Sequence, residues 1–168
     1  TFQNIRLFKD LTVLENVMVA MHAHEGNSLF SSLFRTKAYY ETEKVMKEEA
    51  LELLKIFNLE SFAQDKAKNL AYGQQRELEI VRALATKPKV LFLDEPAAGM
   101  NPQETAQLTE LIAKIQREFD LTVVLIEHDM SLVMKICQRI YVLEYGRLLA
   151  EGTPEEIKQN PAVIKAYL

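Results

Sequence analysis

The heptapeptide VLFLDEP, residues 90–96, decides the fold class of this chain. Its first four residues form an uninterrupted apolar run, which is typical of a strand buried on both faces of a parallel sheet. Leu121–Ile126 are predicted to form a second buried strand. Between the two runs, Asn101 as N-cap and Pro102 at the first helical position predict a helix that reaches about Phe119. A strand, a helix and a second strand in this order predict the later half of a parallel α/β domain.

Around this core the sequence predicts mostly helices. Thr12 and Glu15 match a capping box that begins a helix over about 13–24, and apolar residues at helical spacing predict a second helix over about 37–57. The other predicted elements are a short helix around 61–66, a helix from Gly73 to about Thr86, a helix over 130–138, a hairpin of 140–143 with 147–150, and helices that start at Thr153 and Asn160.

The composition argues against several classes of protein. With 168 residues, of which 48% are hydrophobic, we expect one domain with a substantial core. The net charge of −4 argues against a nucleic-acid partner, because such proteins usually present a basic face. The single cysteine, Cys137, excludes an internal disulfide. No apolar run approaches the ~20 residues that cross a bilayer, so we expect a soluble protein that reaches a membrane only through a partner.

Polar side chains follow both predicted strands. Asp94 and Glu95 come directly after the first strand, and His128 ends the second strand in LIEHDM. Parallel sheets bind ligands at this end of their strands. One carboxylate there can hold Mg²⁺, the other can polarise an attacking water, and the imidazole can hydrogen-bond a phosphate. Taken singly, the same residues are also compatible with a strand-to-loop turn and a surface histidine.

A glycine opens the helix that precedes the first strand. In LAYGQQ, residues 70–75, Gly73 lies where unpaired N–H groups and the positive end of the helix dipole face outward, which suits an anion. The alternative is a plain loop-to-helix turn. The P-loop pattern that grips a nucleotide is absent from these 168 residues, because none of the five glycines is followed by lysine.

In combination, four segments resemble the ATP-binding-cassette family in order and spacing. Gln3 in TFQN, LAYGQQRELEIVRAL, VLFLDEPAAGMNP and LIEHDM resemble its Q-loop, signature motif, Walker B with D-loop, and switch histidine. Four longer stretches resemble the LivG type, one of the two ATPase subunits of branched-chain amino-acid importers. These stretches are LAYGQQRELEI, EPAAGMNPQET, IEHDMSLVMKICQRIYVL and the ending NPAVIKAYL.

This resemblance covers the whole chain and implies its architecture. The fold is expected to be α/β, a partial P-loop NTPase core with a parallel sheet plus a helical subdomain. The implied segments are 1–10 as the Q-loop, 11–80 as the helical subdomain ending in the signature helix, 81–152 as the C-terminal half of the core, and 153–168 as C-terminal helices.

The resemblance also implies ATP and Mg²⁺ as cofactors and gives roles to named residues. Asp94 would bind Mg²⁺ directly or through water, and Glu95 would be the catalytic base. His128 would contact the γ-phosphate, and Gln3 would sense both Mg²⁺ and the lytic water. The residues implied in contacts to ATP bound on the opposite subunit are Ala71, Tyr72, Gly73, Gln74 and, in the D-loop, Asn101.

Four positions depart from the family pattern. Ala71 stands where the signature usually has serine, which removes a hydroxyl donor, and Tyr72 stands where it usually has its first glycine. In the D-loop, Asn101 matches the usual aspartate and Ala98 the serine before it. Contacts that the signature makes through its backbone do not depend on these side chains.

We therefore expect the ATP-hydrolysing subunit of an importer for branched-chain amino acids, peripheral on the cytoplasmic face of the cell membrane. The implied partners are a second ATPase subunit (identical or different), transmembrane permease subunits and, indirectly, a periplasmic or extracellular solute-binding protein. Since the family places its Walker A loop upstream of the Q-loop, residues 1–168 alone are expected to be inactive. The alternatives are a non-catalytic interaction fragment and the ATPase of another branch, such as lipopolysaccharide export.

Overall fold

The computed structural model describes residues 6–22 and 37–167. Its main elements are α1 Val13–Met21, α2 Lys37–Ile56, α3 Tyr72–Ala85, β1 Val90–Asp94, α4 Pro102–Glu118, β2 Thr122–Ile126, α5 Met130–Ile136, β3 Ile140–Glu144, β4 Arg147–Gly152, α6 Pro154–Gln159 and α7 Pro161–Tyr167. Two 3-10 turns, Glu60–Phe62 and Ala67–Asn69, lie between α2 and α3. None of the helices in the described ranges is long and apolar enough to cross a membrane.

The helix α1 begins at the capping box that the sequence predicts. The Thr12 N–H donates to Glu15 Oε2 at 2.7 Å, and the Glu15 N–H donates to Thr12 Oγ1 at 3.1 Å. Val13 and Val17 on its inner face are fully buried, and the helix packs against α2 and α3. Reciprocal capping satisfies two of the N–H groups that a helix start leaves unpaired, so α1 starts at a defined residue.

A fully buried asparagine joins α1 to the segment before it. Asn16 Oδ1 accepts from the Phe8 N–H at 2.9 Å, and its Nδ2 donates to the carbonyls of Phe8 at 3.0 Å and Thr12 at 2.9 Å. Because these bonds compensate for the lost hydration of the amide, the side chain can be buried without a large cost. The backbone at Phe8 is therefore held against α1.

The strands β1 and β2 pair in parallel, as the sequence predicts. Val90 lies beside Thr122 and Asp94 beside Ile126, so the two strands end level with each other. The helix α4 connects them, and its buried residues Leu108, Ile112 and Ile115 belong to the core cluster that contains Leu91 and Leu93. The carboxyl ends of both strands consequently meet at one edge of the sheet.

The prediction that these strands are buried on both faces is wrong for the described residues. Leu91 and Leu93 are buried, but the alternate residues on the other face are exposed: Val90 by 42%, Phe92 by 60%, Val124 by 38% and Ile126 by 59%. Successive side chains of a strand point to opposite faces, so an apolar run covers both faces whether or not each is packed. Here the described helices cover only one face.

The segment 61–66 differs from its predicted helix. Its backbone pairs with the start of α1, since the Val13 N–H donates to the Asp65 carbonyl at 2.9 Å and the Ala67 N–H donates to the Leu11 carbonyl at 3.0 Å. Lys66 is extended, with φ −68° and ψ 136°, and forms a bridge with Thr12. Because these backbone groups bond to residues 11–14, they cannot form the hydrogen bonds of an α-helix, and only the two 3-10 turns form here.

Two other helices end earlier than predicted. The helix predicted over 130–138 stops at Ile136, because Cys137 is extended with ψ 135°. The first helix, predicted to reach about residue 24, ends at Met21 with His22 as its C-cap, and residues 23 and 24 lie outside the described residues.

The last part of the chain forms its own small core. The strands β3 and β4 pair as an antiparallel hairpin around Tyr145 and Gly146, both at positive φ. Five residues from α5, the hairpin, α6 and α7 are buried together: Val133, Ile140, Val142, Ile157 and Val163. The division of the chain into functional segments stays a prediction.

Candidate functional site

The carboxyl ends of β1 and β2 bring two of the predicted site residues together. The Glu95 N–H donates to the Ile126 carbonyl at 2.9 Å, which extends the pairing of the strands by one residue. His128 Nδ1 then lies 3.4 Å from Glu95 Oε1. The meeting of these two side chains is what the strand-end argument predicts.

The backbone of Glu95 is in an unusual conformation. Its φ is +43°, in the left-handed region, which is costly for a residue with a Cβ. Its side chain is 31% exposed, whereas that of His128 is 76% exposed. A carboxylate that is held in place but still reaches solvent can accept a proton from water. The exposed imidazole beside it can hydrogen-bond an anionic group.

Glu127 connects the two loops of the site and is not predicted from the sequence as a site residue. Its Oε1 accepts from the Ala97 N–H at 3.1 Å, and its Oε2 accepts from the His128 N–H at 3.2 Å. The carboxylate therefore joins the loop after β1 to the loop after β2. The available signal was an acidic residue directly between an apolar strand and the histidine in LIEHDM.

Asp129 fixes the helix that follows His128. Its Oδ1 accepts from the Ser131 Oγ at 2.6 Å, the Ser131 N–H at 2.9 Å and the Leu132 N–H at 3.3 Å. The hydrogen bond from the Ser131 hydroxyl is the main cause that lowers the pKa of Asp129. An ionised cap at the start of α5 holds His128 between two fixed elements.

Asp94 is the residue that the sequence analysis proposes for Mg²⁺. It ends β1 beside Ile126 and next to Glu95. The described residues contain no group of three or more histidine, cysteine or carboxylate side chains that could hold a metal ion. An oxygen donor of this kind fits Mg²⁺, which keeps several waters and binds proteins through one or two carboxylates together with substrate phosphates.

The signature residues form the start of α3. Ala71 is its N-cap and makes no side-chain capping bond, whereas Thr12, Asn101, Asp129 and Thr153 all cap their helices with a side-chain oxygen. The Gln74 Oε1 accepts from the Ala71 N–H at 3.1 Å. The N–H groups of Gly73 and Gln74, to which a cap oxygen would normally bond, therefore have no such oxygen from the cap residue. This arrangement leaves the start of α3 suited to an anion.

Asn101 has a structural task within the chain. Its Oδ1 accepts from the N–H groups of Gln103 at 2.9 Å and Glu104 at 3.0 Å, while its own N–H donates to Glu104 Oε2 at 2.8 Å. The sequence predicts Asn101 as the N-cap, but it does not predict the reciprocal bond from Glu104. The contact of Asn101 with a nucleotide stays a prediction, and Gln3 lies outside the described residues.

Comparison with family models gives two matches. Residues 1–98 match the model described as ABC transporter. Residues 147–168 match the model described as branched-chain amino acid ATP-binding cassette transporter.

Comparison with curated proteins gives relatives along the whole chain. The chain is 53% identical over 168 residues to the high-affinity branched-chain amino acid transport ATP-binding protein BraF of Pseudomonas aeruginosa. It is 49% identical over 168 residues to the corresponding protein LivG of Escherichia coli K12. In both comparisons 100% of this chain is covered, but it spans only 66% of the relative's length.

Solved structures of the same kind superpose on the fold. The ADP conformation of MJ1267, an ATP-binding cassette of an ABC transporter, matches with a TM-score of 0.76 and 31% identity, covering 99% of this chain and 65% of that one. The dimeric post-hydrolysis state of the ATP-binding cassette MJ0796, bound to ADP and Pi, matches with a TM-score of 0.72 and 28% identity, covering 91% and 61%.

Proposed function

Since this chain belongs to the ABC transporter family, we propose that it is the ATP-hydrolysing part of an importer subunit that serves branched-chain amino acids. The observation that carries the proposal is the Glu95–His128 pair, 3.4 Å apart at the shared end of two parallel strands. The solute class is supported by the match of residues 147–168 and by the names of the relatives.

Each polar residue at this edge has a proposed task. Glu95 accepts a proton from the water that attacks the γ-phosphate, and His128 hydrogen-bonds that phosphate. Asp94 holds Mg²⁺, directly or through water, and the ion supplies charge neutralisation for the phosphate oxygens. Gln3 senses the ion and the lytic water. Glu127 keeps the two loops in register, because its carboxylate bonds to both.

The start of α3 serves a neighbouring subunit in this proposal. Ala71, Tyr72, Gly73 and Gln74 present their backbone to ATP held by a second ATPase subunit, with N–H groups offered after the cap residue Ala71, whose own N–H donates to Gln74 Oε1. Asn101 is proposed to contact the same nucleotide. The absence of a side-chain oxygen cap at Ala71 supports this assignment. The further partners are transmembrane permease subunits and, through them, a solute-binding protein. The subunit then lies at the cytoplasmic face of the membrane.

The test of the catalytic assignment is Glu95→Gln in the complete subunit, assembled with its permease. The amide keeps the size of the side chain but cannot take a proton, so ATP turnover should fall by about 100-fold or more while ATP-dependent dimerisation persists. Glu144→Gln is the control, because Glu144 ends β3 outside the site. Unchanged turnover in the Glu95 variant would remove this residue from the catalytic role.

Residues 1–168 by themselves are proposed not to bind ATP tightly. Hydrogen bonds to charged groups contribute ~1.5–3 kcal/mol each, and several of them underlie the ~8 kcal/mol of micromolar binding. These residues include no P-loop to make such bonds. A nucleotide titration followed by calorimetry should therefore show no binding in the micromolar range. Tight binding or sustained Mg²⁺-dependent ATP hydrolysis by this segment would contradict the proposal.

A further inference from the structure

The side chain of Tyr72 packs against Gly99 in the loop that follows Glu95. A Cβ added at Gly99 would lie 3.3 Å from Tyr72 Cε1 and 3.7 Å from both its Cζ and its hydroxyl oxygen. Gly99 also has a φ of +80°, a conformation that side chains disfavour. The backbone conformation thus favours glycine here, and an added Cβ would press on the tyrosine ring. The start of α3 and the loop after β1 are in direct contact through one side chain.

A buried arginine one turn further along α3 holds this tyrosine in place. Arg76 Nη2 donates to the Tyr72 hydroxyl at 3.1 Å, and its guanidinium carbon lies 5.5 Å from the centre of the tyrosine ring. Arg76 is only 5% exposed and forms an ion pair with Glu79 at 3.5 Å. A side chain fixed by a buried ion pair loses little further freedom when it orients another group. The rotamer of Tyr72 is therefore set by the body of α3.

The same ion pair reaches the segment that follows Gln3. Glu79 Oε1 accepts from the Arg6 N–H at 3.2 Å, and Arg82 Nη1 donates to the Arg6 carbonyl. Both backbone groups of Arg6 are thus bonded by side chains of α3. In this way α3 contacts both the loop after Glu95 and Arg6, which lies three residues after Gln3 in the sequence.

We propose that Tyr72 is a positioning residue that makes the start of α3 and the loop after Glu95 move as one unit, with Arg76 and Glu79 extending the connection to Arg6. The inference rests on the proposed function, since it explains how one chain presents two segments to a nucleotide on its neighbour. It also gives the side chain of Tyr72 a role of its own, because the proposed contacts to ATP use only the backbone of this residue. A misplaced segment in such a site lowers the rate of the chemical step more than it weakens binding.

The first test measures the loop directly and needs no ATP hydrolysis. In the loop, the Ala98 N–H donates to the Glu95 carbonyl at 3.1 Å and the Met100 N–H donates to the Ala97 carbonyl at 3.0 Å. Hydrogen exchange of these two amides is measured in the complete subunit without nucleotide. Tyr72→Ala should speed their exchange by about 10-fold, and Tyr72→Phe, which keeps the ring, by less than about 3-fold. Tyr40→Ala on α2 is the control and should leave both amides unchanged.

The second test separates positioning from a general loss of structure. In the assembled transporter, Tyr72→Ala should lower kcat by roughly 10- to 100-fold while KM for ATP stays within about 3-fold. Tyr72→Phe should retain most of the rate. Tyr72→Leu, which replaces the flat ring with a branched chain, serves as a second variant should the alanine protein not fold.

The outcomes distinguish this inference from the proposed function. If exchange at Ala98 and Met100 is unchanged in Tyr72→Ala, the connection does not exist, even where Glu95→Gln abolishes turnover. If exchange rises but kcat does not change, Tyr72 orders the loop without positioning it for the reaction, and the inference is also overturned. Faster exchange together with a lower kcat, and recovery of both in Tyr72→Phe, supports it.

Discussion

Glu77 is a carboxylate whose charge is disfavoured both by burial and by a second carboxylate, Glu104. It is half-buried on α3 and lines a groove of about 260 Å³ together with Glu104 of α4 and Gly73. Burial, and after it the negative charge of Glu104, raises the pKa of Glu77. An acid whose pKa is raised on folding binds more protons in the folded chain than in the unfolded one. Its ionisation consequently destabilises the fold as the pH rises through the range in which the Glu77 carboxyl loses its proton.

Glu77→Gln should therefore stabilise the chain near pH 7. The amide keeps the shape but removes the charge, so the free energy of unfolding should rise by about 0.5 kcal/mol, a small value because the site is partly screened by water. The gain should shrink toward about pH 4, where the parent carboxyl is largely protonated. Urea unfolding at several pH values measures it. The exposed Glu41→Gln on α2 is the control, and a gain that does not depend on pH would contradict the assigned cause.

At the same scale, the sequence predicts which catalytic candidates lie close together better than it predicts the contacts that hold them in place. Glu95 and His128 both follow strands of one parallel sheet, a pattern that predicts a shared edge, and their side chains lie 3.4 Å apart. The bonds of Glu127 to two separate loops were not predicted, nor was the packing of Tyr72 on Gly99. These contacts depend on how distant segments approach each other, which no local pattern encodes.

At the scale of elements, helices with strong local signals were predicted within a residue or two. The helix α4 was expected to start at Pro102 and does so, because the cap at Asn101 and the proline at the first position are local features. The helix predicted around 61–66 failed since residues 63–67 pair with 11–14, far away in sequence. Local capping residues therefore determine where the helices start. Long-range backbone pairing explains why no helix of the predicted length forms around 61–66.

The strand β1 shows the same division between local and long-range causes. Its position follows from the apolar run, and it spans Val90–Asp94. Its burial does not follow, because burial depends on what packs against each face. Within the described chain, α4 and neighbouring helices cover the face of Leu91 and Leu93 only.

At the scale of the whole molecule, the consequence is an apolar surface on the sheet. The exposed side chains of Val90, Phe92, Val124 and Ile126 share one face of β1 and β2, and Phe92 lies beside Val124 in the register. Within the described residues β1 and β2 form a two-stranded sheet. A contiguous exposed apolar surface of this kind favours association.

We therefore expect residues 1–168 to self-associate at micromolar concentration and Phe92→Thr to reduce that association. Threonine is favoured in strands, so the sheet should persist in the variant. The substitution removes the largest exposed apolar side chain of the face, so the association between chains should weaken. Sedimentation velocity should show species heavier than the 19.3 kDa monomer for the parent chain and a shift toward monomer for the variant. Val45→Thr is the matched control, because Val45 is 51% exposed on α2, away from the sheet. A monomeric parent chain, or an equal shift in both variants, would show that this face does not drive association.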